Sequence, residues 1–353
     1  MKKIFIIFFV FLIIPVNVFS LSISGRSAIL MDVDSGRILY EKDIDTKRLI
    51  ASTTKIMTCL IALENGNLDD MVTVGDEVLT MYGTNIYIEV GEKMSLRDLL
   101  YGLMLRSGND ASVVIAKHIG GTIENFVNMM NEKAGELGMK NTVYNNPHGL
   151  DEETKNYSTA YDLAILSSYA SKNKTYLEIT STKKYSTSNE TKSYLWYNRN
   201  KLISYKKMTS GKTGYTPDAG KTIVSTASNG NLNLTAVSLN DGNIYTTSEN
   251  LYEYGFSNYK KYLILDKNNF KIDSNFYKNK IYIKNSFSYP LTDVEKENIK
   301  VLVKLNKFNN VKDNEPIGTV NVYLDNNEIY SDYVYVSNKK ISFIERIKMW
   351  FKW

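Results

Sequence analysis

The chain changes hydrophobic period twice, and that ordering limits its fold more than any other feature. "SAILMDVDSGRILYEKD", residues 27 to 43, alternates apolar and polar residues on both sides of Asp34-Ser35-Gly36, as a hairpin does. From Ser52 to about Ser171 the period becomes helical. Ile56, Cys59, Leu60 and Leu63 form one stripe that stops at Asn65-Gly66. Leu96, Leu99, Leu100 and Leu103 form a second, entered through Ser95 with Asp98 three residues on. Phe126, Met129, Met130 and Leu137 form a third. Strand signals return in "KMTSGKTGYT" and in "KTIVSTASNGNLNLTAVSL", two alternating runs joined at Asn229-Gly230, and "TTSENLYEYGF" follows as a closing helix. Strands that bracket a helical block are most economically placed in one antiparallel sheet with the helices packed on it, an α+β design.

From about residue 261 the texture shifts to short Tyr, Val and Ile runs with Asn-rich turns, which predicts a small all-β domain. The two ends differ again. "MKKIFIIFFVFLIIPVNVFS" has two lysines, an apolar run from Ile4 to Ile14, Pro15, and small residues Ser20 and Ser22 suited to cleavage, the layout of a secretory leader. The run is shorter than the roughly 20 residues of a spanning helix. "FIERIKMWFKW" at the other end puts Phe343, Ile344, Ile347, Trp350 and Phe351 on one helical face, with Glu345, Lys348 and Lys352 on another. Such a stripe fits a helix packed on the β domain or one lying in a lipid interface; the two tryptophans with flanking lysines favour the interface. The expected division is therefore a leader over 1–22, a main domain over 23–260, a β-rich domain over 261–337 and an amphipathic helix over 338–353.

Composition excludes several kinds of chemistry. Without Lys2 and Lys3 the chain carries 41 basic residues against 38 acidic, with no long basic block, which argues against a nucleic-acid partner. Cys59 is the only cysteine, so no intrachain disulfide forms, and none lies at the leader junction to carry a lipid. His118 and His148 are the only histidines, which leaves a zinc site or a Ser-His-Asp triad poorly supplied. No metal or cofactor is expected. The chemistry must rest on Ser, Lys, Asn and carboxylates.

Three short segments supply those residues. In "LIASTTKIMTCLIALENG", Ser52 and Lys55 lie one turn apart at the mouth of an apolar helix. Ser52 alone reads as an N-cap, and Ser-x-x-Lys recurs five more times in this lysine-rich chain. At a helix entrance, however, Lys55 can reach the hydroxyl, and a lysine among apolar neighbours and beside another cation can lose its proton near neutral pH. "LMLRSGNDAS" places Ser107 and Asn109 in a glycine-containing turn between helices. "SGKTGYT" places Lys212, Thr213 and Gly214 on a strand, where glycine allows a ligand backbone to come close. Taken singly, these are a polar loop and an edge strand.

In the order Ser-x-x-Lys, Ser-Gly-Asn, Lys-Thr-Gly, each in the local structure its role would need, they resemble the serine-type D-alanyl-D-alanine carboxypeptidases, the low-molecular-mass penicillin-binding proteins. The resemblance extends through "YNNPHGLD", "YSTAYDLA", "NRN" and "LYEYGFSNY" and covers most of residues 25 to 260. It implies a penicillin-binding, β-lactamase-like catalytic domain with Ser52 as acylated nucleophile and Lys55 as its base. Ser107 would relay a proton to the leaving D-alanine, and Asn109 would hold the substrate amide. Lys212 and Thr213 would bind the terminal carboxylate, and the N–H groups of Ser52 and Tyr215 would form the oxyanion hole beside Gly214. It further implies peptidoglycan stem peptides as substrate, β-lactams as covalent inhibitors, and a peripheral membrane anchor at the C-terminus outside the cell. One departure stands out: an arginine often found after the strand following Lys-Thr-Gly is absent from "SLNDGNIYTTSEN". Two other readings share the motifs. A β-lactamase would need a deacylating glutamate, for which "ENFVN" at 124 to 128 is the nearest text; a non-catalytic penicillin-binding or peptidoglycan-binding protein would keep the pocket without the chemistry.

Overall fold

A computed structural model describes residues 21–277, 279–312 and 314–337. The helix expected over 338–353 and the leader, apart from residues 21 and 22, lie outside the described residues.

The two hairpins read from the alternation are present, and they meet. The first joins the strands Ser27–Asp32 and Ile38–Lys42. Its turn is set by the Asp32 carboxylate, which accepts from the Ser35 N–H and hydroxyl at 2.8 and 2.6 Å, and by Gly36 at φ +72°. The second joins Gly220–Ser228 and Asn233–Leu239, with Gly230 at φ +85°. Ser27–Asp32 pairs antiparallel with Asn233–Leu239, from Ser27 opposite Leu239 to Asp32 opposite Leu234. Met208–Thr216 pairs with Gly220–Ser228 and completes a five-stranded antiparallel sheet as an edge.

Strand alternation sends side chains to two cores. Ile29, Met31, Val224 and Val237 face the helical block, while Leu30, Ile223, Leu234 and Ala236 face the helix Ile244–Asn258. The helix Lys55–Asn65 occupies the centre of the block. Every residue from Lys55 to Ala62 is buried, so the single apolar stripe seen in the sequence understates a helix enclosed on all sides. Around it pack Asn109–Gly120, Ile123–Glu136 and Ala160–Ala170. Capping follows the sequence: Ser95 Oγ accepts from the Asp98 N–H at 3.1 Å at the start of Leu96–Tyr101, and Thr122 and Thr159 cap the helices that follow them.

A second module begins at the strand Lys260–Leu265, which pairs with Phe287–Leu291. Beside it is a four-stranded antiparallel sheet ordered Ile281–Ile283, Asn327–Val336, Pro316–Leu324, Ile299–Leu305, with its own core of Ile283, Ile317, Val320, Val322 and Val334. Arg37 ties the two modules together. Its guanidinium lies between the Tyr259 and Tyr289 rings, 5.3 and 5.1 Å from their centroids, and donates to Pro290 O and the Glu295 carboxylate. Among the described residues, no helix is long and apolar enough to cross a membrane.

Candidate active site

Ser52 does not cap the central helix. It sits in a 3-10 turn, Ala51–Thr54, that leads into Lys55–Asn65, and no side-chain cap bond closes that turn. Ala51 holds φ +47°, a left-handed conformation that costs a non-glycine residue energy, so its surroundings must enforce it. Two glycines allow those surroundings to approach. A Cβ on Gly149 would lie 2.0 Å from Ala51 O, and one on Gly214 would lie 2.7 Å from the Ser52 nitrogen. Gly214 therefore brings the edge strand against the Ser52 turn, a close approach within the protein's own backbone. Thr222 on the neighbouring strand adds a bond from Oγ1 to Ile50 O at 3.2 Å.

Lys55 is fully buried, and its Nζ lies 3.2 Å from Ser52 Oγ, 2.7 Å from Asn109 Oδ1 and 2.6 Å from His148 O. Burial, then the Lys212 charge, holds the ammonium well below its usual range, with Asp110 opposing. Asn109 is aimed by its own amide, whose Nδ2 donates to Tyr82 O at 2.7 Å, so Oδ1 faces Lys55. Asp110, which the sequence reading passed over, accepts from the N–H groups of Ile86, Tyr87 and Ile88 and fastens the wall opposite the edge strand. His148 acts through its backbone; burial and then Lys55 push its imidazole down to about 3, leaving it neutral.

The helix Leu96–Tyr101 runs on as a π-helical turn, Gly102–Arg106, and breaks at Ser107 with φ +66°. That left-handed residue turns the Ser107 hydroxyl into the cleft, where Oγ accepts from Lys212 Nζ at 3.1 Å. Lys212 is 3% exposed and also donates to Thr213 O at 2.7 Å. Burial, then Arg199, lowers it to about 7. Ser52, Ser107, Thr213, Gly214 and Tyr215 all line one cleft of about 650 Å³. All eight residues read from the sequence thus converge. What that reading missed is positive charge. Arg199, Lys201 and Lys221 line the same cleft, although the segment 242–246, where the arginine is absent, supplies no cation. Lys221 is opposite Tyr215 in the sheet register, a placement visible only once the hairpin is paired. The "ENFVN" segment lies in the helix Ile123–Glu136 with Glu124 exposed, and so offers the cleft no carboxylate.

Comparison with known proteins agrees with this geometry. Residues 15–243 match the family model described as D-alanyl-D-alanine carboxypeptidase, and residues 259–340 match the C-terminal domain of penicillin-binding protein 5. The chain is 37% identical over 256 residues to D-alanyl-D-alanine carboxypeptidase DacF of Bacillus subtilis, covering 69% of this chain, and 32% identical over 272 residues to DacA of Haemophilus influenzae, also covering 69%. It spans 65% of the length of each of these two relatives. Among solved structures, penicillin binding protein 5 from Haemophilus influenzae superposes with a TM-score of 0.77 at 28% identity, over 90% of this chain and 98% of that one. A mutant of the Streptomyces K15 DD-transpeptidase superposes with a TM-score of 0.63 at 33% identity, over 67% of this chain and 99% of that one. In sequence, fold and the disposition of its serine, lysine and Lys-Thr-Gly segments, this chain belongs to the D-alanyl-D-alanine carboxypeptidase family.

Proposed function

We propose that the protein is a serine D-alanyl-D-alanine carboxypeptidase that removes the terminal D-alanine of peptidoglycan stem peptides through an acyl-enzyme and is blocked by β-lactams. The observation that carries this reading is the trio of contacts at Lys55 Nζ. A neutral amine has two N–H groups and one lone pair. Asn109 Oδ1 and His148 O take the two N–H groups at 2.7 and 2.6 Å, which leaves the lone pair for the Ser52 hydroxyl at 3.2 Å.

Ser52 Oγ attacks the carbonyl carbon of the penultimate D-alanine, and its proton passes to Lys55. The oxyanion is held between the N–H groups of Ser52 and Tyr215, which the approach at Gly214 brings together. Lys212 and Thr213 hold the terminal carboxylate. Ser107 Oγ already accepts from Lys212, so its own O–H is free to protonate the leaving nitrogen as the C–N bond breaks. Lys55 returns a proton to Ser107. Water then attacks the Ser52 ester, with Lys55 again as base, and releases the shortened peptide. Ser52→Ala is expected to abolish both labelling by fluorescent penicillin and release of D-alanine; labelling that persists would identify another serine.

The reading extends to location. The leader favours export, and the amphipathic 338–353 segment favours a peripheral anchor on the outer face of the cytoplasmic membrane. The mature protein is expected to pellet with anionic vesicles, and truncation after Ser337 to release it with D-alanine release unchanged. Full-length protein that stays in the supernatant at low salt would return the segment to packing on the β module.

A further inference from the structure

The Ser52 cleft carries more positive charge than a single alanine can use. Its 650 Å³ part is lined by Ser107 and Thr213, the residues that the carboxypeptidase reading sets beside the leaving group. Tyr82 and His148, which flank Asn109 and Lys55, line a separate recess of about 90 Å³. Arg199, Lys201 and Lys221 face the larger part, and Lys212 lies behind Ser107. Among the described residues, no acidic side chain lines it.

Nor are these cations neutralised elsewhere. Arg199 donates to Thr84 Oγ1 at 3.0 Å and Lys221 to Gly242 O at 3.2 Å. Among the described residues, none of the four has a carboxylate within salt-bridge distance, whereas Lys117, Lys133, Lys192 and Lys260 elsewhere on the surface each hold one. Asp218, three residues from Lys221, is paired with Lys155 at 3.6 Å, and Asp241, next to the lining segment 242–246, is buried, its oxygens taken by Ser24, Ser238 and the Asn243 N–H. Like charges gathered without a counter-ion repel one another, and the repulsion is relieved when an anion arrives. The carboxylate of D-alanine matches Lys212 and Thr213. Three cations then remain unmatched.

We propose that this cleft selects a leaving D-amino acid with a second anionic group, and so cleaves acidic D-residues or acidic branches of cross-linked stems as well as terminal D-alanine. This rests on the carboxypeptidase reading. The bonds are the same: Ser52 Oγ joins the acyl carbon, the amide C–N bond breaks, the amine takes its proton through Ser107, and water later opens the ester. Only the group on the leaving amine differs, with its acid toward Arg199, Lys201 and Lys221.

The test uses the full chain and three peptides with one acyl part and C-terminal D-Ala, D-Glu or D-Gln. D-Gln matches D-Glu in size and lacks its charge. At low salt kcat/KM for D-Glu is expected to exceed that for D-Gln by about tenfold or more, with the ratio shrinking as added salt screens it. Lys201→Glu is expected to narrow or reverse the ratio. Equal rates for D-Glu and D-Gln, with D-alanine still released, would overturn the proposal and leave the carboxypeptidase reading standing; no release from any peptide would overturn both. A fourth arm, a cross-linked dimer with an acidic acceptor, separates the sources. Its cleavage assigns the site to cross-links, and cleavage of the D-Glu peptide alone assigns it to free acidic D-residues.

Discussion

Gly214→Ala tests whether the close approach of the edge strand to the Ser52 turn serves catalysis. The new Cβ would lie 2.6 Å from Thr222 Oγ1, 2.7 Å from the Ser52 nitrogen and 3.0 Å from Ala51 Cβ. Thr222 can rotate, but the Ser52 nitrogen is backbone in a turn already strained at Ala51. Reaching ordinary contact at 3.4 Å requires the two backbones to separate by about 0.7 Å. An oxyanion bond of about 2.9 Å stretched by that much no longer qualifies as a hydrogen bond. Loss of one such donor costs about 2.7 to 4 kcal/mol, or roughly 100- to 1000-fold in kcat. The packing clash costs about 1 to 3 kcal/mol of stability, which lowers the thermal midpoint by several degrees while leaving the variant folded at 25 °C. The assay is D-alanine release from a diacylated tripeptide, with circular dichroism melting alongside. A kcat within threefold of the parent, in a variant whose melting confirms the clash, would refute the oxyanion role of this approach.

Lys212→Met keeps the aliphatic stem and removes the charge. kcat/KM should fall at least about tenfold, while the midpoint holds or rises, because a buried cation held near 7 is a penalty to folding at lower pH. The sign follows from linkage: between about 7 and the unfolded value near 10.4 the unfolded chain binds the extra proton, so the penalty is full below pH 7 and fades as pH rises. A lower midpoint with catalysis preserved would make Lys212 structural. In the parent enzyme the same titration gives kcat/KM an alkaline limb near pH 7, which Lys212→Arg should move upward; an unmoved limb would assign it to another group. Arg37→Ala removes the guanidinium from between Tyr259 and Tyr289 and should split calorimetric unfolding into two transitions with D-alanine release retained; a single unchanged transition would show that the modules are coupled by other contacts.

The sheet was legible because each of its hairpins carries its own turn chemistry. Asp32 to Gly36 and Asn229-Gly230 specify their turns locally, and bracketing the helices with strands forces the ends of the domain together. The enclosure of Lys55–Asn65 was not legible. A stripe at 3.6-residue spacing marks one buried face, while Met57, Thr58 and Ile61 on the others are buried because Asn109–Gly120, Ile123–Glu136, Ala160–Ala170 and Lys174–Ser181 converge there. The π-helical turn at Gly102–Arg106 has no signature in "GLMLR"; it is imposed by the need to deliver Ser107 in a left-handed conformation at the cleft.

For the site, sequence order gave the residues but not the electrostatics. Lys55, Ser107 and Lys212 are spaced by about 50 and 100 positions, and only their motifs identify them. Arg199 and Lys221 have no motif that speaks of charge, and each looks like an ordinary surface cation in a chain with 43 basic residues. They become informative once the strands are paired, because the register puts Lys221 opposite Tyr215 and the cleft brings Arg199 beside Ser107. The absent arginine in "SLNDGNIYTTSEN" then changes meaning. Read along the chain, it is a lost carboxylate ligand; in the folded cleft, it is one cation fewer among several from other strands and loops. Charge in a pocket is a property of the volume, and the same field can be assembled from different positions in the sequence. A motif requires its residue at a fixed position because geometry does; a field does not, which is why Ser52 and Lys55 could be singled out in the sequence and the cationic lining of their cleft could not.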